Sequence, residues 1–157
     1  MNIIKKTQIK QSGFSLLEVL ITLVIVATGL LGLAAMQARG LSTNHNAYVR
    51  SQATLLAYDL TDRMRANIKA KDSYQTNNLS TKTAVSGCIS SGCSPVQMAQ
   101  HDLYEWNVAL TKALPSGTAT VTFADETYTV TIMWDQDRDG KVVGDVDDPN
   151  FKVKFQL

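Results

Sequence analysis

From its amino end the chain opens polar and basic, with Lys5, Lys6 and Lys10 and no acid among the first thirteen residues. From Phe14 to Met36 it turns apolar, and Glu18 is the one charged side chain in those 23 residues. As a helix rising ~1.5 Å per residue the run measures about 35 Å. A hydrocarbon core of about 30 Å asks for about 20 apolar residues, so the segment is long enough to span a bilayer. After Met36 the pattern is mixed but still helical in period, with Leu41, Tyr48, Leu55, Leu56 and Leu60 recurring among Asn, Gln, Arg and Asp. One helix reaching about Asn67 is predicted, its second half amphipathic and its apolar face turned to a head. Gly29, Gly32 and Gly40 weaken that helix by about 1 kcal/mol each relative to Ala.

The stretch from Lys71 to Ser94 is rich in Ser, Thr and Asn and reads as a long loop. Ser94 and Pro95 have the form of an N-cap followed by a first-turn proline. They predict a second helix over Val96 to Leu114, with Leu103, Trp106, Ala109 and Leu110 on one face and Pro115 closing it. Three alternating segments follow. They carry Ala119, Val121 and Phe123, then Tyr128, Val130, Ile132 and Trp134, then Phe151, Val153, Phe155 and Leu157. A period of two marks half-buried antiparallel strands. The expected fold class is α+β: a long amino-terminal helix packed on a small head that holds a second helix and a three- or four-stranded antiparallel sheet.

Composition changes this picture in a few places. At 157 residues the chain is one compact domain beside its helix. The net charge of +1 averages a basic start against six acids near the end: Asp135, Asp137, Asp139, Asp145, Asp147 and Asp148. No basic cluster beyond the start is dense enough for a nucleic-acid footprint. Lysines on the amino side alone place that side in the cytoplasm and the head outside it. In that oxidising setting the two cysteines, Cys88 and Cys93, are expected to pair, pinning a local loop with about 2 kcal/mol in the chain-entropy model. Four residues separate them, so the two-residue spacing of a redox motif is absent. His45 and His101 are too few for a histidine metal site, and no set of base, nucleophile and orienting group suggests an enzyme. Asp135, Asp137 and Asp139 before Gly140 match the first half of an EF-hand-type calcium loop. The twelfth position is Val146 rather than Glu, leaving Asp145 as a substitute ligand or the whole segment as an acidic turn. Calcium is the one candidate cofactor.

Hydropathy alone leaves a plain membrane anchor open, while the run is longer than the 7–15 residues usual in a secretory signal. Gly13, Phe14, Ser15, Leu16, Leu17 and Glu18 decide between these. Together with the basic leader and the long apolar run, they resemble the prepilin peptidase site of type IV pilins and type II secretion pseudopilins. The resemblance implies cleavage between Gly13 and Phe14, N-methylation of Phe14, and pairing of Glu18 with the amino terminus of a neighbouring subunit during filament assembly. A carboxylate at the centre of a membrane helix costs roughly 2.5–3.5 kcal/mol, which such a partner would offset. The simpler reading is a first-turn acid favouring the helix dipole by about 0.3–1 kcal/mol. The implied segments are a leader, 1–13; a transmembrane and filament-core helix, 14–36; its amphipathic half, 37–67; and a head, 68–157. The helix lacks the proline that many major pilins carry there.

Within the superfamily the chain is most similar to minor pilins of the PilV type. The features that carry this are Gly13 to Leu20, Arg63 to Asn67, the cysteine loop, Asp102 to Trp106 and the strand ending at Trp134. That resemblance implies a structural subunit that primes pilus assembly near the tip, in the inner membrane before assembly and in the extracellular pilus afterwards. Its implied partners are other minor pilins, the major pilin, prepilin peptidase, inner-membrane assembly proteins and a tip adhesin. A minor pseudopilin of type II secretion and an anchored, calcium-dependent binding module are the alternatives.

Overall fold

The structure, a computed structural model, describes residues 13, 15–142 and 149–157. The lysines of the leader, Phe14 and Asp145 lie outside the described residues. The chain divides after Thr43 into two units, and helix α1 (Leu16–Ala66) runs through the division.

In the first unit every described residue through Thr43 is exposed. The Ser15 hydroxyl accepts the Leu17 N–H at 3.1 Å, satisfying one of the orphan donors that open any helix. Gly29, Gly32 and Gly40 do not interrupt α1, and nothing in the chain lies within 4 Å of where a Cβ would sit at any of them.

The second unit, residues 44–157, packs a core on one face of α1. That face is Val49, Ala53, Ala57, Leu60, Thr61 and Met64. Of the expected apolar face only Leu60 is buried there and Leu56 partly so. Leu41, Tyr48 and Leu55 are all more than half exposed. The bulk comes from the other elements: Trp106, Trp134, Tyr74 and Tyr128 are the largest fully buried side chains. On α1 the face combines small residues, Ala53 and Ala57, with the larger Leu60 and Met64.

Helix α2 (Gly87–Ser90) is one turn, and helix α3 (Pro95–Ala113) is the second long helix. Ser94 and Gln97 cap α3 reciprocally, each side chain bonding the other's backbone N–H. Ala99, Leu103, Trp106 and Leu110 are buried along it, whereas Ala109 faces solvent, one position off the expected face. Polar ties place α3 antiparallel to α1. Trp106 Nε1 donates to the Leu56 carbonyl at 2.8 Å, Arg63 bonds Asp102 at 3.1 Å, and the Asn67 amide donates to the Pro95 carbonyl at 2.7 Å. As the α1 number rises, the α3 number falls.

The sheet has the order β1 (Thr118–Ala124), β2 (Thr127–Met133) and β3 (Asn150–Phe155), antiparallel throughout. Gly117 enters it where a Cβ would lie 2.6 Å from Leu110 Cδ2, a contact only hydrogen can occupy. Asp125 and Glu126 turn β1 into β2 with φ of 49° and 57°, the left-handed pair that suits strand twist in a two-residue hairpin. Ala119 and Val121 are buried, but Phe123 is exposed and leans on Tyr128 with ring centroids 4.5 Å apart. The polar stretch 71–94 is more ordered than its composition suggests. It holds 3₁₀ turns at Ile68–Tyr74 and Leu79–Thr81, and Thr76 pairs with Val121 through two backbone bonds of 2.8 and 2.9 Å. Buried Tyr74 and Leu79 anchor it; two apolar residues among many polar ones leave no period to read.

The two tryptophans provide a matched test. Trp106 Nε1 has a carbonyl partner, whereas Trp134 Nε1 is buried with none among the described residues. Trp→Phe removes similar volume at both sites. Trp106→Phe is expected to cost about 1 kcal/mol more than Trp134→Phe in denaturant melts, the net worth of one hydrogen bond, since the Leu56 carbonyl keeps its helical partner. Equal costs would show that the Leu56 contact does not contribute.

Candidate functional site

Three groups of residues carry the chemistry expected of this chain, beginning at the start of α1. Gly13 is exposed ahead of the helix, and Ser15 caps it. Glu18 lies in its first turn, on a surface otherwise made of Leu16, Leu17, Val19, Leu20 and Ile21. Ser15 and Glu18 stand at capping-box spacing, so the same acid also suits the positive end of the helix dipole.

The second group surrounds the end of α1. Cys88 and Cys93 form a disulfide, closing a loop on α2. Beside it a groove of about 420 Å³ is lined by Arg63, Ala66, Asn67, Cys93, Pro95, Met98 and Asp102. Arg63 holds three carboxylates: Asp59 at 3.1 Å, Asp102 at 3.1 Å and Glu105 at 3.0 Å. Asp102 is buried and also accepts the Tyr74 hydroxyl. Burial opposes the Arg63 charge, but the bonds to Glu105, Asp59 and Asp102 outweigh it and hold the guanidinium firmly protonated. The Arg63 hydrogen bond keeps the Glu105 carboxyl below its usual range against the opposite pull of desolvation. Burial, reinforced by the bond to Asp102, pushes the Tyr74 phenol up. Burial and a 2.6 Å bond to Asp72 push Tyr128 to about 12.

The third group is the acidic turn after β2. Carboxylate oxygens of Asp135, Asp137 and Asp139 all lie within 4.8 Å of one another. The same carboxylates hold the turn. Asp135 accepts the N–H groups of Arg138 at 2.6 Å and Gly140 at 3.0 Å, Asp137 accepts that of Asp139, and Asp139 that of Lys141. Arg138 and Gly140 adopt φ of 64° and 87°, which these bonds stabilise. Three of the four proposed ligands therefore come together, the fourth being Asp145.

Comparison with known families supplies the context. Residues 9–34 match the family described as a prokaryotic N-terminal methylation motif, and residues 35–104 match the one described as type IV pilin Tt1218. The two matches abut and together cover 9–104. Each match covers less than half of the chain, and both are to families of type IV pilins or their methylation motif. No curated protein and no solved structure gives a significant match. The methylation motif and the long apolar helix fit a membrane-anchored protein.

The polar network was not legible in the sequence. Arg63 and Asp102 are 39 residues apart and come together only because α3 runs back along α1. The one local signal was Asp59 four residues before Arg63. Arg63→Met is expected to destabilise the protein by about 2–3 kcal/mol, as loss of hydrogen bonds to charged groups does. Glu105 gives the pH dependence. Its folded pKa is lowered, so its stabilisation is present above the unfolded carboxyl value of about 4.3 and lost as pH falls through the folded value. Chemical melts between pH 7 and 3 should therefore show a steeper acid loss for the native protein than for Glu105→Gln. Coincident pH profiles would remove Glu105 from the account. For the acidic turn, calorimetric titration of calcium is expected to give no saturable heat, because Val146 stands where an EF-hand-type loop has its bidentate Glu. Saturable heat that Asp137→Ala abolishes would instead assign a calcium site.

Proposed function

We propose that this protein is a type IV pilin, a minor subunit of the PilV type, which primes pilus assembly and sits at or near the pilus tip. In that role it supports pilus biogenesis, twitching motility and adhesion as a structural subunit without catalysis of its own. The observation that carries the proposal is the surface of α1. From Leu16 to Met36 the helix exposes an apolar run interrupted by one acid, Glu18, a surface stable only in lipid or among other such helices. Farther along, Tyr48, Leu55 and Tyr58 are exposed on the side of α1 away from its buried alanines, so a second apolar strip awaits a neighbour.

In this reading prepilin peptidase cuts between Gly13 and Phe14, and Phe14 becomes the methylated amino terminus. The Glu18 carboxylate pairs with the charged terminus of an adjacent subunit, neutralising both and setting the axial register. Segment 14–36 is the membrane and filament-core part, 37–67 the amphipathic part and 68–157 the head. Before assembly the head lies on the periplasmic side of the inner membrane; afterwards it is part of the extracellular fibre. Its partners are the major pilin, other minor pilins, inner-membrane assembly proteins and a tip adhesin. The sequence features given for the PilV type support this subunit over a minor pseudopilin of type II secretion, which shares the same amino terminus.

Two measurements test the proposal. Amino-terminal mass spectrometry of the protein from membranes is expected to find N-methyl-Phe at residue 14. An intact Met1, or a start near Gln37, would make it an ordinary anchored or secreted protein. Glu18→Ala should still be processed but disappear from sheared pili, and deleting the gene should sharply reduce piliation. Normal piliation with lost type II secretion would point to the pseudopilin instead.

A further inference from the structure

The segment 82–94, which carries the disulfide, is held on α3 by two side-chain bonds. Gln100 donates from Nε2 to the Thr83 hydroxyl at 3.1 Å, and the Val85 N–H donates to His101 Nδ1 at 3.2 Å. His101 is buried, 6% exposed, with Nε2 3.4 Å from Glu105 Oε1. A ring nitrogen that accepts a hydrogen bond carries no proton, so Nδ1 is bare and the ring proton sits on Nε2, facing Glu105. A second proton can enter only at Nδ1. There it would point at the Val85 N–H, donor against donor, and the bond would be lost. Histidine is the side chain that ordinarily changes charge between pH 5 and 8.

We propose that His101 is a proton-operated latch: neutral, it holds the disulfide loop on α3 through Val85, and protonated, it releases that loop. The groups around it are these. On α3, Glu105 faces Nε2, the Tyr104 ring lies at 6.4 Å between centroids, and Asp102 is committed to Arg63 and Tyr74. From α1, Arg63 reaches Glu105, Asp102 and Asp59. The 3₁₀ turn 68–74 contributes Tyr74, with Lys69, Lys71 and Asp72 exposed or partly so and Asp72 bonded to Tyr128. The turn 79–81, α2 and β1 bring no ionisable group except disulfide-bonded Cys88, and the loop itself adds only Lys82. Neither Glu105 nor Arg63 offers the Val85 N–H another acceptor. The tie from Gln100 to Thr83 is indifferent to pH, so the freed stretch is Val85 to Cys93. That stretch exposes Ile89 and supplies, at Cys93, one wall of the groove beside Arg63. Acidification would thus remodel the groove without unfolding the head.

The test uses the full chain in detergent micelles, following backbone amide exchange by NMR at pH 7.5 and 5.0, normalised to intrinsic rates. Protection at Val85 and through residue 91 is expected to fall about tenfold at pH 5.0, the upper worth of one hydrogen bond, while α3 amides keep theirs. His101→Asn keeps an acceptor oxygen near the place of Nδ1 but cannot take up a proton, so its loop should stay protected at both pH values. Should that variant not fold, the ring nitrogen shifts of native His101 carry the test. Nδ1 must be bare at pH 7.5 and gain its proton over the same range in which Val85 loses protection. A ring still neutral at pH 5.0, unchanged Val85 protection beside a protonated ring, or a loss that persists in His101→Asn would each overturn the latch.

Discussion

Trp106 donates its indole N–H into the backbone of α1 at Leu56, between Ala53 and Ala57, and the head is built around that contact. A ring of this size can lie flush against a helix only where the helix presents small side chains. The bond to a main-chain carbonyl then fixes how far along α1 it sits. With α3 antiparallel, the register set at Trp106 carries Asp102 to Arg63 and Pro95 to Asn67. The sheet closes on the remaining side through Tyr128, Val130 and Ile132, with Trp134 just beyond β2.

One helix thus meets two demands. Where α1 belongs to the head its buried side mixes Ala53 and Ala57 with Leu60 and Met64, and its outward side carries Tyr48, Leu55 and Tyr58. Earlier, through Met36, it is apolar all round, and that surface has to be covered by lipid or by like helices. Glu18 is the exception on which a filament reading turns. Its first-turn position suits the helix dipole in an isolated chain, and in the proposed filament it would offer a charge to a neighbour's amino terminus, so the two roles are compatible.

At the other end of α1 polar groups replace apolar ones. Arg63 gathers three carboxylates, one of them buried, and Tyr74 closes the network. A buried carboxylate is tolerable because it is paired and hydrogen-bonded, and losing either partner would strand the other. The disulfide loop rests on the same helix one turn away through His101, where the Val85 N–H meets Nδ1. The acidic turn after β2 stabilises itself by bonding its own backbone, which accounts for its aspartates as turn formers.

The amino-terminal half of this protein was determined by its sequence. An uninterrupted apolar run, a basic flank and a lone acid at a fixed distance from Gly13 are local properties, and a helix made of them needs no tertiary contact to be recognised. The long helix, the capped second helix and three alternating strands were legible for the same reason, since a period survives whatever the segment packs against. Tertiary structure alone decided which side of α1 is buried. The large apolar residues Tyr48 and Leu55 lost the core to Ala53 and Ala57, because bulk supplied by Trp106 left space only for small side chains. It also decided the partners of Arg63, the order hidden in segment 71–94 and the tie from Val85 to His101. Each depends on residues brought together by the register between α1 and α3, which no local pattern encodes.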